Sequence, residues 1–257
     1  MPASHRPRKR FGQHFLTDRG VIDAILAGLA LRPGDHVIEI GPGLGALTQP
    51  LLEALAHLTV VEIDRDIVAR LARAYPPERL AIRQGDALDV DFAALGSDLR
   101  LVGNLPYNIS TPLLFHLLEF LPHIRDMTFM LQKEVVARMV ARPSTPDYGR
   151  LSVMLQRHCH LFWLLDVPPD AFDPPPKVDS AVVRLVPRRD KAPLDEARFA
   201  QLVAAAFGQR RKVLRNTLGG QVPAAAFAAL AIDPGLRAEN LAVAQFEALA
   251  AYTAAQH

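Results

Sequence analysis

The sequence contains a single cysteine, Cys159, so the chain has no internal disulfide. This shortage is typical of proteins from a reducing compartment. His158 and His160 flank the cysteine, but a structural zinc site needs about four ligands, and no second cluster supplies the others. We therefore expect no metal site.

Long apolar runs are also missing. No uninterrupted run approaches the ~20 residues that a transmembrane helix needs. The basic N-terminus continues into Phe11-Gly12-Gln13-His14-Phe15 rather than into the apolar core of a secretory signal. We expect a soluble cytoplasmic protein without membrane contact, and the lack of a self-association segment favours a monomer.

Net charge is nearly absent, but the basic residues are unevenly distributed. The formal charge is +2, whereas Met1 to Arg19 carries five basic residues and one acid, and Arg188 to Arg215 carries eight basic residues and three acids. Two solvated flexible segments would have this composition. The clustering more strongly indicates a globular body that holds a polyanion at two surfaces.

The apolar pattern indicates alternating strands and helices. Such alternation predicts a parallel sheet covered on both faces. Predicted strands are His36 to Ile40, Leu58 to Ile63, Leu80 to Arg83, Leu99 to Gly103 and Met127 to Leu131; predicted helices are Ala46 to Ala56, Ile67 to Ala74, Pro112 to Phe120 and Glu134 to Ala141. Two later apolar runs, Leu161 to Val167 and Ser180 to Val186, would pair as a hairpin at one edge and complete seven strands.

The charged, proline-flanked segment from Val186 to Pro193 predicts a domain boundary. We expect an α/β Rossmann-like domain over residues 1–187. A small helical domain over residues 188–257 follows from the Ala- and Leu-rich spacing there, interrupted at Gly219-Gly220 and at Asp233-Pro234-Gly235.

A glycine-rich turn predicts a nucleotide-type cofactor site. Glu39-Ile40-Gly41-Pro42-Gly43-Leu44-Gly45 joins the first of these strands to the following helix, where open parallel sheets bind nucleotides. About twenty residues on, Glu62 is suited to accept hydrogen bonds from ribose hydroxyls. Asp86, after the third strand, could bind the exocyclic amine of an adenine. These residues follow the carboxyl ends of successive strands, so we expect them to converge.

Two cofactors fit this turn. Gly41, Gly43 and Ala46 satisfy the looser pattern of NAD enzymes. However, Glu39 would repel a pyrophosphate and attract the ammonium or sulfonium of a methionine moiety. No acid or base for hydride transfer is obvious either, so we favour S-adenosylmethionine.

The tetrapeptide Asn104-Leu105-Pro106-Tyr107 follows a hydrophobic strand and predicts adenine N6 methylation. The lone pair of the adenine amine is delocalised into the ring, which makes the nitrogen a poor nucleophile. Hydrogen-bond acceptors aimed at both N–H bonds favour a tetrahedral nitrogen, whose lone pair can attack a methyl group. Asn104 offers a side-chain carbonyl, and Pro106 favours an extended Leu105 whose carbonyl can face the pocket. Tyr107 offers a ring for stacking. A strand ending in an ordinary turn would also contain these residues.

Several motifs together resemble the KsgA family of ribosomal RNA small-subunit adenine dimethyltransferases, from about Arg8 into the C-terminal domain. The matching segments are Lys9 to Leu16, Glu39 to Gly45, Val61 to Asp64, Gly85 to Leu88, Asn104 to Ser110, Phe172 to Ser180 and Phe207 to Lys212. The fold implied is that of class I methyltransferases.

The resemblance implies transfer of two methyl groups to N6 of each of two adjacent adenosines in the 3′-terminal hairpin of 16S rRNA, late in small-subunit assembly. Residues implied in the cofactor site are His14, Leu16, Gly41, Glu62, Asp86 and Asn104. Tyr107 and Phe172 would hold the flipped base, with Asn104 and the Leu105 carbonyl on N6. The substrate would be 16S rRNA within the small subunit or its assembly intermediate.

The basic segments then become candidate RNA contacts. They comprise Arg6, Arg8, Lys9, Arg10, Arg210, Arg211, Lys212 and Arg215, the last four at helical spacing. Two alternatives stay open: a dimethyltransferase of large-subunit RNA, and a mainly non-catalytic ribosome assembly factor.

Overall fold

The chain forms two compact units in a computed structural model that describes residues 13–255. The first unit comprises the described residues up to Val136 together with Phe162–Pro187, and the second comprises Ala137–Leu161 together with the described residues from Arg188 onward. Within residues 13–255, no helix is both long enough and apolar enough to cross a membrane.

Nine strands and ten α-helices are assigned in the described residues. The strands are β1 (Phe15–Leu16), β2 (His36–Ile40), β3 (Leu58–Glu62), β4 (Leu80–Gln84), β5 (Leu99–Asn104), β6 (Ile124–Gln132), β7 (Cys159–Val167), β8 (Phe172–Asp173) and β9 (Ser180–Pro187). The helices are α1 (Arg19–Leu29), α2 (Thr48–Ala54), α3 (Arg65–Ala74), α4 (Ser110–Leu118), α5 (Lys133–Val140), α6 (Arg150–His158), α7 (Glu196–Phe207), α8 (Leu214–Thr217), α9 (Ala224–Ala229) and α10 (Val243–Ala254).

Seven strands form one sheet in the order β4-β3-β2-β5-β6-β9-β7. Strands β2 to β6 pair in parallel, and β9 is antiparallel to β6. Every residue of β3 is buried, as expected for a parallel strand covered on both faces. The predicted seven-stranded sheet is therefore confirmed, with the two late apolar runs adjacent at one edge.

Strands β2 and β5 approach each other closely at their carboxyl ends. A Cβ atom at Gly103 would lie only 2.3 Å from the Ile40 carbonyl oxygen, so only glycine fits there. Gly103 directly precedes Asn104, and Ile40 directly precedes the glycine-rich turn. The two predicted site motifs are thus neighbours in space.

A second, two-stranded sheet joins β1 to β8, with Phe15 opposite Asp173 and Leu16 opposite Phe172. Thr17 reinforces it, since both its N–H and its hydroxyl donate to the Ala171 carbonyl, at 2.8 and 3.1 Å. We did not predict this sheet, because two residues are too few to show an alternating apolar pattern.

The second unit includes a segment that we had expected in the first. The expected division at 187/188 gives residues 137–161 to the sheet domain, whereas the structure groups them with the C-terminal helices. Arg157, in this segment, forms ion pairs with the C-terminal helices, with Glu196 at 3.0 Å and with Glu247 at 2.6 Å. Such contacts between distant parts of the chain leave no signal in composition.

Buried charges lie at the opposite end of the sheet from the glycine-rich turn. Near the start of β5, Arg100 donates to Asp35 at 2.7 Å and to both carboxylate oxygens of Asp126 at 2.9 Å. Burial by itself would raise the pKa of Asp35, but hydrogen bonds from the Arg32 N–H, Arg100 and Arg125 lower it to about 2. Asp35 is therefore ionised at neutral pH, and both buried aspartates depend on their arginine partners.

Replacing Arg100 by methionine should destabilise the protein by about 3 kcal/mol, because it leaves two buried carboxylates with fewer counter-charges. Urea denaturation followed by far-ultraviolet circular dichroism measures this change. Arg83→Met, at an exposed position on β4, is the matched control. Equal unfolding midpoints for the two variants would contradict the structural role of the network.

Candidate active site

A cavity of about 300 Å³ opens at the carboxyl edge of the sheet in the first unit. It is at the lower end of the size range of small-molecule sites. Of the predicted site residues, the structure brings together around it His14, Leu16, Glu39, Gly41, Gly43, Glu62, Asp86, Asn104, Leu105, Pro106 and Tyr107. Gly45 and Phe172 do not line it.

The glycine-rich turn forms one wall of this cavity. Gly41, Gly43 and Gly45 have φ angles of +70°, +53° and +94°, a region that other residues rarely adopt. A Cβ at Gly43 would also lie 3.1 Å from the ring of Phe15. Gly45 has a conformational role, since its N–H donates to the Pro42 carbonyl at 3.0 Å and closes the turn.

Glu39 is a buried acid in the cavity wall, 1% exposed. Thr48, at the start of α2, donates to its carboxylate at 2.7 Å. Burial raises the pKa of Glu39 to about 8, opposed by this hydrogen bond and assisted by the nearby Glu62. Glu39 therefore holds a proton at neutral pH.

Two acids at the carboxyl ends of β3 and β4, Glu62 and Asp86, also line the cavity. The Glu62 carboxylate accepts from the backbone N–H of Asp64 at 2.8 Å, and burial raises its pKa. Asp86 uses one carboxylate oxygen to accept from the Leu88 N–H at 3.0 Å, which begins a short 3₁₀ helix. Both side chains are thereby oriented by backbone groups at the sheet edge.

Asn104 is oriented by the segment that carries β1. Its Nδ2 donates to the His14 carbonyl oxygen at 2.9 Å. A carbonyl oxygen only accepts, so the amide must present its NH₂ group there. The Oδ1 atom of Asn104 consequently stays available as an acceptor. Leu105 is held by its N–H, which donates to the Met130 carbonyl at 3.1 Å.

Tyr107 has a fixed ring orientation. Its hydroxyl lies 2.7 Å from the Ser180 Oγ atom, and burial raises the pKa of that hydroxyl. The imidazole of His14 stacks on the Tyr107 ring, with centroids 5.8 Å apart and planes inclined by 26°. The Nδ1 atom of His14 lies 2.8 Å from the Pro174 carbonyl oxygen.

Phe172 lies in the hydrophobic core and is 4% exposed. Its backbone pairs with Leu16, which does line the cavity. The base contact that the resemblance implies for Phe172 stays a prediction. In this structure its side chain belongs to the same hydrophobic cluster as Leu16.

The candidate RNA contacts fall into two groups. Arg6, Arg8, Lys9 and Arg10 lie outside the described residues. Arg210, Arg211 and Lys212 are exposed but lie in the turn after α7, and only Arg215 is helical, within α8. The expected helical spacing of the four is thus wrong, because α7 ends at Phe207. Arg210 is also engaged by Glu239 and the Pro146 carbonyl.

Sequence reasoning missed the residues that orient the site. Thr48 on Glu39 and Ser180 on Tyr107 are ordinary polar residues in sequence, and only their distances reveal a role. Gln13 and Phe15 also line the cavity. Among residues 13–255 no group of three or more His, Cys, Asp or Glu side chains is arranged to hold a metal ion.

The parallel sheet, its antiparallel β9 and the cavity at its carboxyl edge define a class I methyltransferase fold. The chain resembles a solved dimethyladenosine transferase from Plasmodium falciparum, with a TM-score of 0.83, 26% identity, and 95% of this chain and 98% of that chain covered. It also resembles 23S rRNA methyltransferase ErmE, with a TM-score of 0.72, 27% identity, and coverage of 93% and 99%.

Sequence comparison identifies the family. The ribosomal RNA adenine dimethylase model matches residues 4–255. Ribosomal RNA small subunit methyltransferase A from Thiobacillus denitrificans is 67% identical over 252 residues, covering 97% of this chain and 99% of the relative. The protein of the same name from Aromatoleum aromaticum is 61% identical over 256 residues, covering 99% and 97%. The chain belongs to the ribosomal RNA adenine dimethylase family, and it is a methyltransferase.

The raised pKa of Glu39 predicts a specific dependence of stability on pH. A carboxyl group whose pKa is raised on folding stabilises the native state while it is protonated. Its contribution is therefore lost as pH rises from about 4.5, the unfolded value, to about 8. Glu39→Gln, which stays neutral, should remove this loss, up to roughly 4 kcal/mol at pH 8.

Urea denaturation of both proteins across this pH range measures the difference. Glu62 is present in both proteins, so the comparison reports the titration of Glu39 together with its interaction with Glu62. Glu53→Gln, at an exposed position on α2, is the control and should follow the wild type. Parallel profiles for wild type and Glu39→Gln would refute the assignment of a buried proton to Glu39.

Proposed function

We propose that this protein uses S-adenosylmethionine to dimethylate N6 of two adjacent adenosines in the 3′-terminal hairpin of 16S rRNA during small-subunit biogenesis. The observation that carries the proposal is the hydrogen bond from Asn104 to the His14 carbonyl, which leaves the Asn104 Oδ1 as an acceptor at the cavity. The names of the relatives from Thiobacillus and Aromatoleum support the small-subunit substrate.

The residues that line the cavity suit the chemistry of the proposed cofactor. The positive φ angles of Gly41 and Gly43 let the backbone approach a ligand closely. Glu62 would accept from ribose hydroxyls, and Asp86 from an adenine amine. Further proposed contacts come from His14, Leu16 and Asn104 on the same cavity. S-adenosylmethionine, when bound, supplies a methyl group on a positively charged sulfur.

Glu39 is suited to the cationic part of this cofactor. Its carboxyl is protonated at neutral pH when the cavity holds no cation, because burial disfavours the charge. A positive group nearby favours the ionised form. Cofactor binding at neutral pH would therefore be coupled to release of the Glu39 proton.

The acceptor groups act on the target amine. Asn104 Oδ1 and the Leu105 carbonyl would accept from the two N6 hydrogens and so favour the geometry in which the nitrogen lone pair is free. Asn104 is neutral, so catalysis depends on position rather than on a titrating base. At saturating cofactor we expect the transfer step to vary little with pH near neutrality.

Tyr107 would carry the flipped base. Enzymes that modify a base remove it from its stack and supply aromatic surface in exchange. The Tyr107 ring lines the cavity beside Asn104 and is held by Ser180. Phe172 is buried and does not line the cavity, so its side chain would have to change position to contact the base as well.

Nucleoside mass spectrometry tests the proposal. Small and large ribosomal subunits lacking the modification are incubated with the protein and S-adenosylmethionine, then digested. Dimethyladenosine in small-subunit RNA alone is the expected result. Product in large-subunit RNA alone would favour the alternative that the likeness to the 23S rRNA enzyme raises. Cofactor binding without product in either would favour a non-catalytic assembly factor.

Asn104→Ala should lower the single-turnover rate of dimethyladenosine formation by about 10²- to 10³-fold, because it removes an acceptor used in the transition state. Rapid quench and nucleoside mass spectrometry give the rate. Gln49→Ala removes an exposed amide on α2 and should match the wild type. A loss of less than threefold in Asn104→Ala would count against the acceptor role.

The C-terminal basic residues are proposed to track RNA phosphates. Arg211, Lys212 and Arg215 are exposed and close in sequence, so a phosphate backbone could reach them. Arg210 donates hydrogen bonds to Glu239 and to the Pro146 carbonyl, so we expect it to contribute less to phosphate binding than the other three. We propose the same role for the N-terminal residues Arg6, Arg8, Lys9 and Arg10, which lie outside the described residues.

Changing Arg211, Lys212 and Arg215 together to glutamine should weaken RNA binding and lower the salt dependence. The slope of log K against log salt concentration should fall by about 2 to 3, since fewer counterions are released. Filter binding at several salt concentrations measures it. Replacing three arginines of α3, Arg65, Arg70 and Arg73, is the control. Identical slopes in the wild type, the triple glutamine variant and the α3 control would contradict the proposed RNA contact.

A further inference from the structure

The His14 imidazole covers one ring face of Tyr107, and both residues line the cavity. The centroids lie 5.8 Å apart and the planes are inclined by 26°, which is the geometry of a direct aromatic contact. The proposed reaction requires an aromatic surface in this place for the adenine. The His14 ring therefore covers a face of Tyr107 on which a base could otherwise stack.

No space for a base remains between the two rings. Stacked groups are separated by about 3.5 Å, so a base inserted between His14 and Tyr107 would need about 7 Å between their planes. The centroid separation of 5.8 Å is smaller than this distance. Since Tyr107 is fixed by its hydroxyl contact with Ser180 at 2.7 Å, the His14 ring is the partner that must move.

The backbone of His14 is held more firmly than its ring. Asn104 Nδ2 donates to its carbonyl at 2.9 Å, and the next two residues form β1. The ring has one hydrogen bond, from Nδ1 to the Pro174 carbonyl at 2.8 Å, in which Nδ1 must be the donor because a carbonyl oxygen only accepts. Side-chain rotation therefore frees Tyr107 at the cost of this bond and the stacking contact, without disturbing Asn104.

We propose that the His14 ring is a placeholder for the target adenine, which covers Tyr107 until the flipped base displaces it. This role rests on the proposed function and adds a positioning residue to it. The backbone of His14 orients Asn104, while the side chain controls access to Tyr107. A protein whose binding-competent form is only partly populated binds with an affinity reduced by that fraction. Loss of the ring should thus ease entry of the base.

His14→Ala tests this proposal in single-turnover methylation of small subunits that lack the modification, at saturating S-adenosylmethionine. The measured quantity is the maximal rate divided by the half-saturating subunit concentration. This ratio starts from the free protein, so it includes the free energy needed to displace the His14 ring. We expect this ratio to rise about 2- to 10-fold, the equilibrium equivalent of one aromatic contact. His14 is also a proposed cofactor contact, so calorimetric affinity for S-adenosylhomocysteine is measured in parallel; a rise in the ratio without a matching rise in this affinity assigns the effect to the base site.

Two further variants separate the ring from its hydrogen bond. His14→Asn has no ring but keeps a donor for Pro174, so its ratio should also rise. This variant replaces His14→Ala as the main test if the alanine variant folds poorly. His14→Phe keeps a ring without the Nδ1 donor, so its ratio should not rise above the wild-type value. His57→Ala, at an exposed histidine after α2, should change nothing.

Three results would overturn the proposal. The ratio could stay unchanged or fall in both His14→Ala and His14→Asn. S-adenosylhomocysteine affinity could fall severalfold without a rise in the ratio, which would make the side chain a cofactor contact. His14→Asn could behave as the wild type while His14→Ala differs, which would assign the effect to the bond with Pro174. If wild-type protein forms no dimethyladenosine, the proposed function itself fails, and that outcome is recorded separately from these.

Discussion

The parallel pairing of β2 with β5 is the constraint on which the site depends. Its register, with Glu39 opposite Val102, brings the glycine-rich turn after β2 beside the Asn-Leu-Pro-Tyr segment after β5. Gly103 permits this closeness, because any side chain there would meet the Ile40 carbonyl. A one-residue shift would turn every side chain of β5 to the other face of the sheet. Cofactor site and acceptor site are thus adjacent as a result of strand pairing.

Buried charge is treated differently at the two ends of the same strands. At the amino end, Arg100 forms ion pairs with both Asp35 and Asp126, and its hydrogen bond helps to lower the pKa of Asp35. At the carboxyl end, Glu39 is buried with Thr48 as its hydrogen-bond donor, and burial raises its pKa, so it holds a proton. The first arrangement stabilises the folded sheet. The second places a protonated acid in the wall of the cavity.

The β1 segment connects the two halves of the site. Its pairing with β8 fixes the backbone near His14, and that backbone in turn sets the orientation of the Asn104 amide. The ring of Phe15 lies against the glycine-rich turn at Gly43. The short segment that carries β1 therefore contacts both the turn after β2 and the acceptor motif after β5.

The sequence by itself determined the sheet and the position of the cavity. Strand and helix periodicity is local, and the glycines and acids follow strand ends, so the alternating pattern was enough to predict convergence of Gly41, Glu62, Asp86 and Asn104. Tertiary structure decided the rest. The β1–β8 pair, the grouping of residues 137–161 with the C-terminal helices, and the burial of Phe172 all depend on contacts between residues far apart in the chain. Distances of that kind are set by packing, and packing has no local signature.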